Sequence, residues 1–415
     1  MVSPVFLPAD ILLPQNACMT RWSVIACDQF SSQREYWERV DKFVGDAPST
    51  LRLIVPEAYL DEIVPEESAR EIVRTMRAYL GSGLFRTLPQ SFVYVERTLA
   101  SGAVRRGLVG MLDLEQYDFT PGASAPVRAS ERTIIERLPA RVAVRRGAPL
   151  ELPHIMALID DAEGRVIEPL SEKTAQLEQV YEFELMEGGG TVRGWRVAGE
   201  LAESVQRALH DLPARRGVRI VIGDGNHSLA AAKEMWDGIK PSLSESERRS
   251  HPARYALVEL NNVYDPSIEF EAIHRIVFGA DAQELLTEAR QAFEAGEGES
   301  YAVRYVTPGG EGVLTLRAES IGGMIARLQA FLDDFVARRR CTIDYIHGED
   351  AVSEMARRPG ATGFILPAMR KDALFRTVEA GAVFPKRAFP SATRGISAIT
   401  WRPAALNLRG KRAVK

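Results

Sequence analysis

The chain has 415 residues, enough for two or three domains at about 100–200 residues each. A formal net charge of −4 argues against general nucleic-acid binding, and 46% hydrophobic with 26% charged residues is the balance of an ordinary globular protein. Cys18, Cys27 and Cys341 form no CxxC pair, which argues against a disulfide framework and points to reduced thiols in the cytoplasm.

The first residues, MVSPVFLPADILLP, are broken by prolines and lack the basic start of a signal peptide. No apolar run approaches the roughly 20 residues that cross a bilayer, so no membrane partner is expected. WSVIAC (22–27) reads as a short buried strand, followed by DQFSSQ and a helix over 34–44. Asp28, Gln29, Ser31 and Ser32 then lie in a strand-to-helix loop, a favoured place for ligand contacts, where Ser31 or Ser32 equally suits a helix cap. LRLIVP (51–56) is a second strand, and Pro65 to Leu80 an amphipathic helix stopped by Gly81 and Gly83.

Residues 91–99 and 104–114 form a strand pair joined at Ser101-Gly102, and 120–130 reads as a loop leading to Glu131, Arg132 and Thr133. LPHIMALID and RVIEPL (152–170) read as a hairpin around the turn Asp161 to Gly164, with His154 a half-buried strand histidine. A strand, TVRGWRV, and a helix over 199–212 lead into VRIVIGDGNHSLAAAKEMW (218–236).

That stretch organises the reading. Val218 to Ile222 suit a buried strand, and Gly223 and Gly225 allow a tight turn. From His227 a helix carries Leu229, Ala232 and Trp236 on one face, with Asp224 or Asn226 as its N-cap. A strand, glycine turn and helix N-terminus suits anions, because backbone N–H groups and the helix dipole converge there. GDGNHS has neither the Gly-Lys-Ser/Thr ending of a P-loop nor the third glycine of a dinucleotide loop.

GIKPSLSESERRSHP (238–252) reads as a linker, or a loop with a short helix, dividing a domain at 1–240 from one at 253–415. The second part alternates strands and helices: RYALVELNNV, a strand with His274 and Arg275, a strand pair turning at Gly309-Gly310, a helix over 321–339, then TIDYI, EDAVSEMARR, ATGFILP and KDALFRTVEAG. His274 and Arg275 suit a structural role at least as well as a binding one. VFPKRAFPSATRGISAITW closes the chain as a basic loop and a strand. The whole is a mixed α/β protein. No HExxH, EF-hand or GxSxG pattern is present, so no protein metal site and no serine-hydrolase elbow is expected.

GDGNHSLAAA resembles the G-H-H-R loop of the family known as domain of unknown function 1015. SERT (130–133) resembles that family's H-E-R-T element, AIHR (272–275) its P-T-H-R element, and FPKRAFP (384–390) its P-K-S-T stretch. The order and spacing cover nearly the whole chain. Ser130 stands where the family has His, Asn226 and Ser228 stand for the first His and the Arg of the loop, and Arg387-Ala388 for Ser-Thr. The resemblance implies a ParB/sulfiredoxin-like fold for the N-terminal part, shared with free-serine kinases. It further implies phosphotransfer between a nucleotide (ATP or ADP, with Mg²⁺) and a small hydroxyl compound, serine or phosphoserine first. In that reading Gly223, Gly225, Asn226 and Ser228 hold a phosphate. His227, Arg132, Arg275 and Lys386 supply positive or hydrogen-bonding groups, and Glu131, Asp224 or Asp28 moves the proton. A phosphoserine phosphohydrolase and a non-catalytic nucleotide- or phosphate-binding regulator are the alternatives. The partner is a small phosphorylated ligand, and the sequence gives no oligomeric state.

Overall fold

Two sheets divide the strands of the computed structural model, which describes residues 4–25, 33–59, 65–133, 135–152, 155–214, 217–268, 270, 272–379 and 400–401. The first sheet takes β1 (Phe6–Leu7), β2 (Ala9–Pro14), β3 (Phe85–Thr98), β4 (Val104–Asp113), β5 (Tyr117–Asp118), β6 (Val127–Ala129), β7 (Met156–Ile159), β8 (Gln179–Glu184), β9 (Thr191–Val197), β10 (Ile220–Asp224) and β11 (Tyr255–Asn262). The second takes β12 (Ile273–Phe278), β13 (Glu299–Thr307), β14 (Gly310–Ala318), β15 (Thr342–His347) and β16 (Ala361–Ile365), and β17 (Thr400–Trp401) returns to the first.

The main path of the first sheet is β17-β2-β3-β4-β11-β7-β10-β6-β5, with β1 on β4 and the pair β9-β8 on β3. The hairpin β3-β4 forms as the strand pair joined at Ser101-Gly102 predicts, with Val93 opposite Val109 and Gly102 at φ 83° in the turn. At the other end β10 runs parallel to β6 and antiparallel to β7. Two neighbouring strands thus present their carboxyl ends together.

The helices are α1 (Met19–Trp22), α2 (Arg34–Val44), α3 (Pro65–Gly81), α4 (Leu138–Arg145), α5 (Glu168–Ser171), α6 (Gly199–Asp211), α7 (Asn226–Ile239), α8 (Glu245–Ser250), α9 (Ala282–Phe293), α10 (Ile321–Arg339), α11 (Glu349–Ala356) and α12 (Lys371–Glu379). Leu229, Ala232 and Trp236 of α7 enter one core with Ile220, Ile222, Ala157 and Leu260, as their spacing predicts. The second sheet is covered on both faces. Val277, Val303 and Phe364 pack against α9 and α10, while Ile276, Val306 and Ile365 pack against Val352 and Ala356 of α11. No described helix is long and apolar enough to cross a membrane.

Several local expectations give way to side-chain chemistry. Trp22 ends helix α1 rather than opening a strand. Residues 50–53 wind into a 3₁₀ turn, not a strand. Ser49 Oγ accepts from Leu51 N–H at 3.2 Å, and Thr50 Oγ1 donates to the Trp22 carbonyl at 2.8 Å, so hydroxyls replace the ladder partners a strand would need. The 152–170 hairpin is absent. β7 instead pairs with β10 and β11, while Asp161 Oδ2 accepts from the Arg165 and Val166 amides and turns the chain into α5. The loop 120–130 contains β6. In the polar stretch 238–252 the short-helix alternative holds: α8 forms there under a Ser244–Glu247 capping box. The sheets also divide elsewhere than at 240–253: β11 lies between β4 and β7 in the first sheet, so the change of sheet falls after Asn262.

Candidate active site

At the end of β10 the register shifts. Ile222 pairs with Ala157 and Asp224 with Met156, leaving Gly223 as the extra residue of a bulge. A Cβ at Gly223 would lie 2.7 Å from Leu158 Cδ1, so any larger residue there would displace the Leu158 side chain. Gly225 follows at φ 79°, a left-handed conformation, and is itself the N-cap of α7. Neither side chain expected to cap does so. Asp224 Oδ1 accepts from the Gly225 N–H at 2.6 Å, and Asn226 is already the first helical residue. The amides of Ser228 and Leu229 return to the Gly225 carbonyl at 3.0 Å, which leaves those of Asn226 and His227 at the mouth of the helix, outside the intrahelical ladder.

Asn226 corrects the sequence reading more sharply. Its side chain is 3% exposed and turns away from the mouth: Oδ1 accepts from Ser130 N–H at 3.2 Å and Nδ2 donates to Ser130 Oγ at 3.3 Å. It therefore holds the end of β6 rather than a ligand. Glu131 and Arg132 follow Ser130 in the chain, Glu131 half-buried and Arg132 exposed. His227 and Ser228 are half-buried in the first turn of α7. Farther along α7 the Trp236 indole N–H donates to Glu115, which Lys240 also contacts. Burial works to raise the Glu115 pKa, but the donors Trp236 and Lys240 outweigh it and hold the carboxyl below its usual range.

Arg275 does not join this group. It lies in β12 of the second sheet, 1% exposed, with Nε donating to Gln329 Oε1 at 3.1 Å and Nη1 to the Ile273 carbonyl. Its guanidinium sits over the Tyr345 ring, and burial pushes its pKa down to about 10, with Tyr345 and Asp333 acting the other way. Neighbouring His274 is buried and accepts from the Leu366 amide at 3.2 Å. Asp28, His154 and Lys386 lie outside the described residues.

One carboxylate escaped the sequence reading. Glu259 of β11 pairs with Met156, the residue that Asp224 faces from the other side, so the two acids share a cross-strand row with one strand between them. Glu259 accepts from Asn261 Nδ2 at 3.0 Å and from Arg105, whose side chain is 1% exposed. A Cβ on Gly107 would collide with it. An acid within the apolar pattern RYALVELNNV was the available signal. A cavity lined by Tyr264, Phe270, Met369, Arg370, Lys371 and Asp372 includes no residue of the glycine turn. Among the described residues no group of three or more His, Cys, Asp or Glu side chains is arranged to hold a metal ion.

The model of the family described as protein of unknown function, DUF1015, matches residues 8–335. No curated protein matches the chain. Among solved structures, SbnI with a C-terminal truncation from Staphylococcus aureus aligns at a TM-score of 0.38 and 9% identity, covering 71% of this chain and 87% of that one. A free serine kinase in complex with AMP aligns at 0.36 and 10% identity over 67% and 84%. A conserved hypothetical protein from Pyrococcus furiosus aligns at 0.35 and 10% identity over 67% and 88%.

Proposed function

This chain belongs to the DUF1015 family of proteins of unknown function, and from the geometry of its glycine turn we propose that it transfers phosphate between a nucleotide and a small hydroxyl compound. The observation that carries the reading is the start of α7. Gly225 in the left-handed region opens the helix between the carboxyl ends of two parallel strands, with Glu131 carried alongside by the Ser130–Asn226 bond. Helix N-terminal amides bind anions without any cationic side chain. In this reading the phosphate rests on the first-turn amides and Ser228. Arg132 and His227 face its oxygens, and Glu131 or Asp224 takes the proton of the attacking hydroxyl. ATP or ADP with Mg²⁺ is the donor, and serine or phosphoserine the first acceptor to try.

A binding-only role has one observation in its favour. Arg275 is enclosed in the second sheet and the Asn226 side chain is spent on Ser130, so two of the groups expected at the phosphate are elsewhere. A thermal-shift panel of ATP, ADP, AMP, serine and phosphoserine, with and without Mg²⁺, tests both readings. Stabilisation by a nucleotide, followed by nucleotide consumption only when a hydroxyl acceptor is present, supports the transferase. Stabilisation without turnover supports the regulator, and phosphate release from phosphoserine alone supports a phosphohydrolase. No shift with any of them removes the phosphate site.

A further inference from the structure

Ser130 and Asn226 are 96 residues apart in the chain, and two hydrogen bonds join them. Ser130 is fully buried and Asn226 nearly so. The amide spends its oxygen on the Ser130 N–H and its nitrogen on the Ser130 hydroxyl, an arrangement that fixes which way the amide points. The pair extends the contact between β6 and β10 just past their carboxyl ends. One partner is followed by Glu131 and Arg132; the other is flanked by Gly225 and His227. Both positions hold histidine in the family pattern given above, so two of this chain's departures from that pattern are in contact.

We propose that Ser130 and Asn226 act as one positioning unit, an uncharged clamp that sets the Glu131 segment against the first-turn amides of α7. Neither group titrates near neutral pH, so the clamp adds no charge at the positive end of the helix dipole. Its effect on ligands rests on the phosphate reading; its effect on the loop does not.

The test is a cycle of Ser130→Ala, Asn226→Ala and the double variant, read by amide hydrogen exchange at Gly225 to Leu229 and by ADP affinity. Coupled contacts give strongly non-additive effects. Each single variant is expected to speed exchange of the loop amides and weaken ADP binding by about tenfold, the double variant doing no more than the worse single. Asn226→Asp keeps an acceptor for the Ser130 amide but adds a buried negative charge. It is expected to weaken ADP binding by at least about tenfold more than Asn226→Ala does, although both lose the native amide, which a purely structural residue would not do. Ser130→Thr, which retains amide and hydroxyl, is expected to behave as the wild type and serves if an alanine variant does not fold. Additive single effects, or loop exchange unchanged in the single variants, overturn the clamp. If the wild type binds no ADP, the phosphate reading fails and loop exchange alone decides the clamp.

Discussion

Arg275 keeps a guanidinium inside the second sheet with neutral acceptors, and its Nη2 has no acceptor among the described residues. Arg275→Met removes the charge and much of the desolvation cost but forfeits the bonds to Gln329 and Ile273. The opposing terms should leave the free energy of unfolding within about 2 kcal/mol of the wild type. Nucleotide stabilisation is expected to be unchanged; its loss would return Arg275 to the phosphate site. Glu131→Gln is expected to abolish turnover while retaining ADP affinity, because it removes the base and keeps the shape. Unaltered turnover removes Glu131 from the catalytic set. His251 offers a pH test. Burial holds its pKa below 6.5, its Nδ1 accepts from the Ala253 amide, and its ring packs against Trp236. A depressed histidine is neutral in the fold, so this stability is complete above 6.5 and is lost as pH falls toward the folded-state pKa. His251→Asn, which can still cap Ala253, is expected to flatten that part of the stability profile, measured by urea unfolding at several pH values. The residue types at the glycine turn were legible in the sequence. Their reach was not: Asn226 finds Ser130, and Arg275 finds Gln329, only through tertiary packing.

At the level of elements, the turn from β10 to α7 depends on two glycines for different reasons. Gly225 is needed for its positive φ, and Gly223 for the close approach of Leu158. Gly225→Ala forces an L side chain into the left-handed region at a cost of about 1–2 kcal/mol. It is expected to lower the thermal midpoint and to abolish ADP stabilisation, since the first-turn amides lose their direction. Gly223→Ala overpacks the bulge and should cost about 1–3 kcal/mol, with the Asp224 row displaced. ADP stabilisation that survives both variants at full size would show that the turn does not hold the phosphate. Elements with strong periodicity were readable in advance, among them α3, α10, the β3-β4 and β13-β14 hairpins and α7 itself. Short elements whose partners are distant were not. β6 is three residues behind a proline-rich loop and exists because β10 offers it a parallel edge. Residues 50–53 look apolar enough for a strand, but Ser49 and Thr50 take the local hydrogen bonds. The pairing of β6 with β10 therefore lay hidden even though the loop beside it was visible.

Over the whole molecule, the two sheets share a core. Met156, Leu158 and Val221 of the first sheet lie in one buried cluster with Val277 and Phe364 of the second, Leu328 of α10 and Leu374, Phe375 and Val378 of α12. Charged groups anchor α12 at both ends, one to the connection after β11 and one to the first sheet. Lys371 Nζ donates to the Asp265 carbonyl at 2.6 Å, and Arg128 Nη1 to the Val378 carbonyl at 3.5 Å, a cation at the helix C-terminus where the dipole favours it. A change of sheet after Asn262 is thus not an independent folding boundary, and the chain should unfold in one transition. The tryptophans make this measurable. Trp22, Trp37, Trp195, Trp236 and Trp401 all lie outside residues 273–365, whereas the long helices α9 and α10 lie within them. Tryptophan fluorescence then follows the first part, and far-ultraviolet circular dichroism carries a large contribution from the second. The two denaturation curves are expected to coincide. Leu158→Ala opens a cavity at the shared core, beside Gly223, and should cost about 2–5 kcal/mol. Because Leu158 touches both parts, that loss is expected to move both curves together. Two separated transitions, or a shift confined to fluorescence, would show that the second sheet stands on its own and that the phosphate site is built by the first part alone.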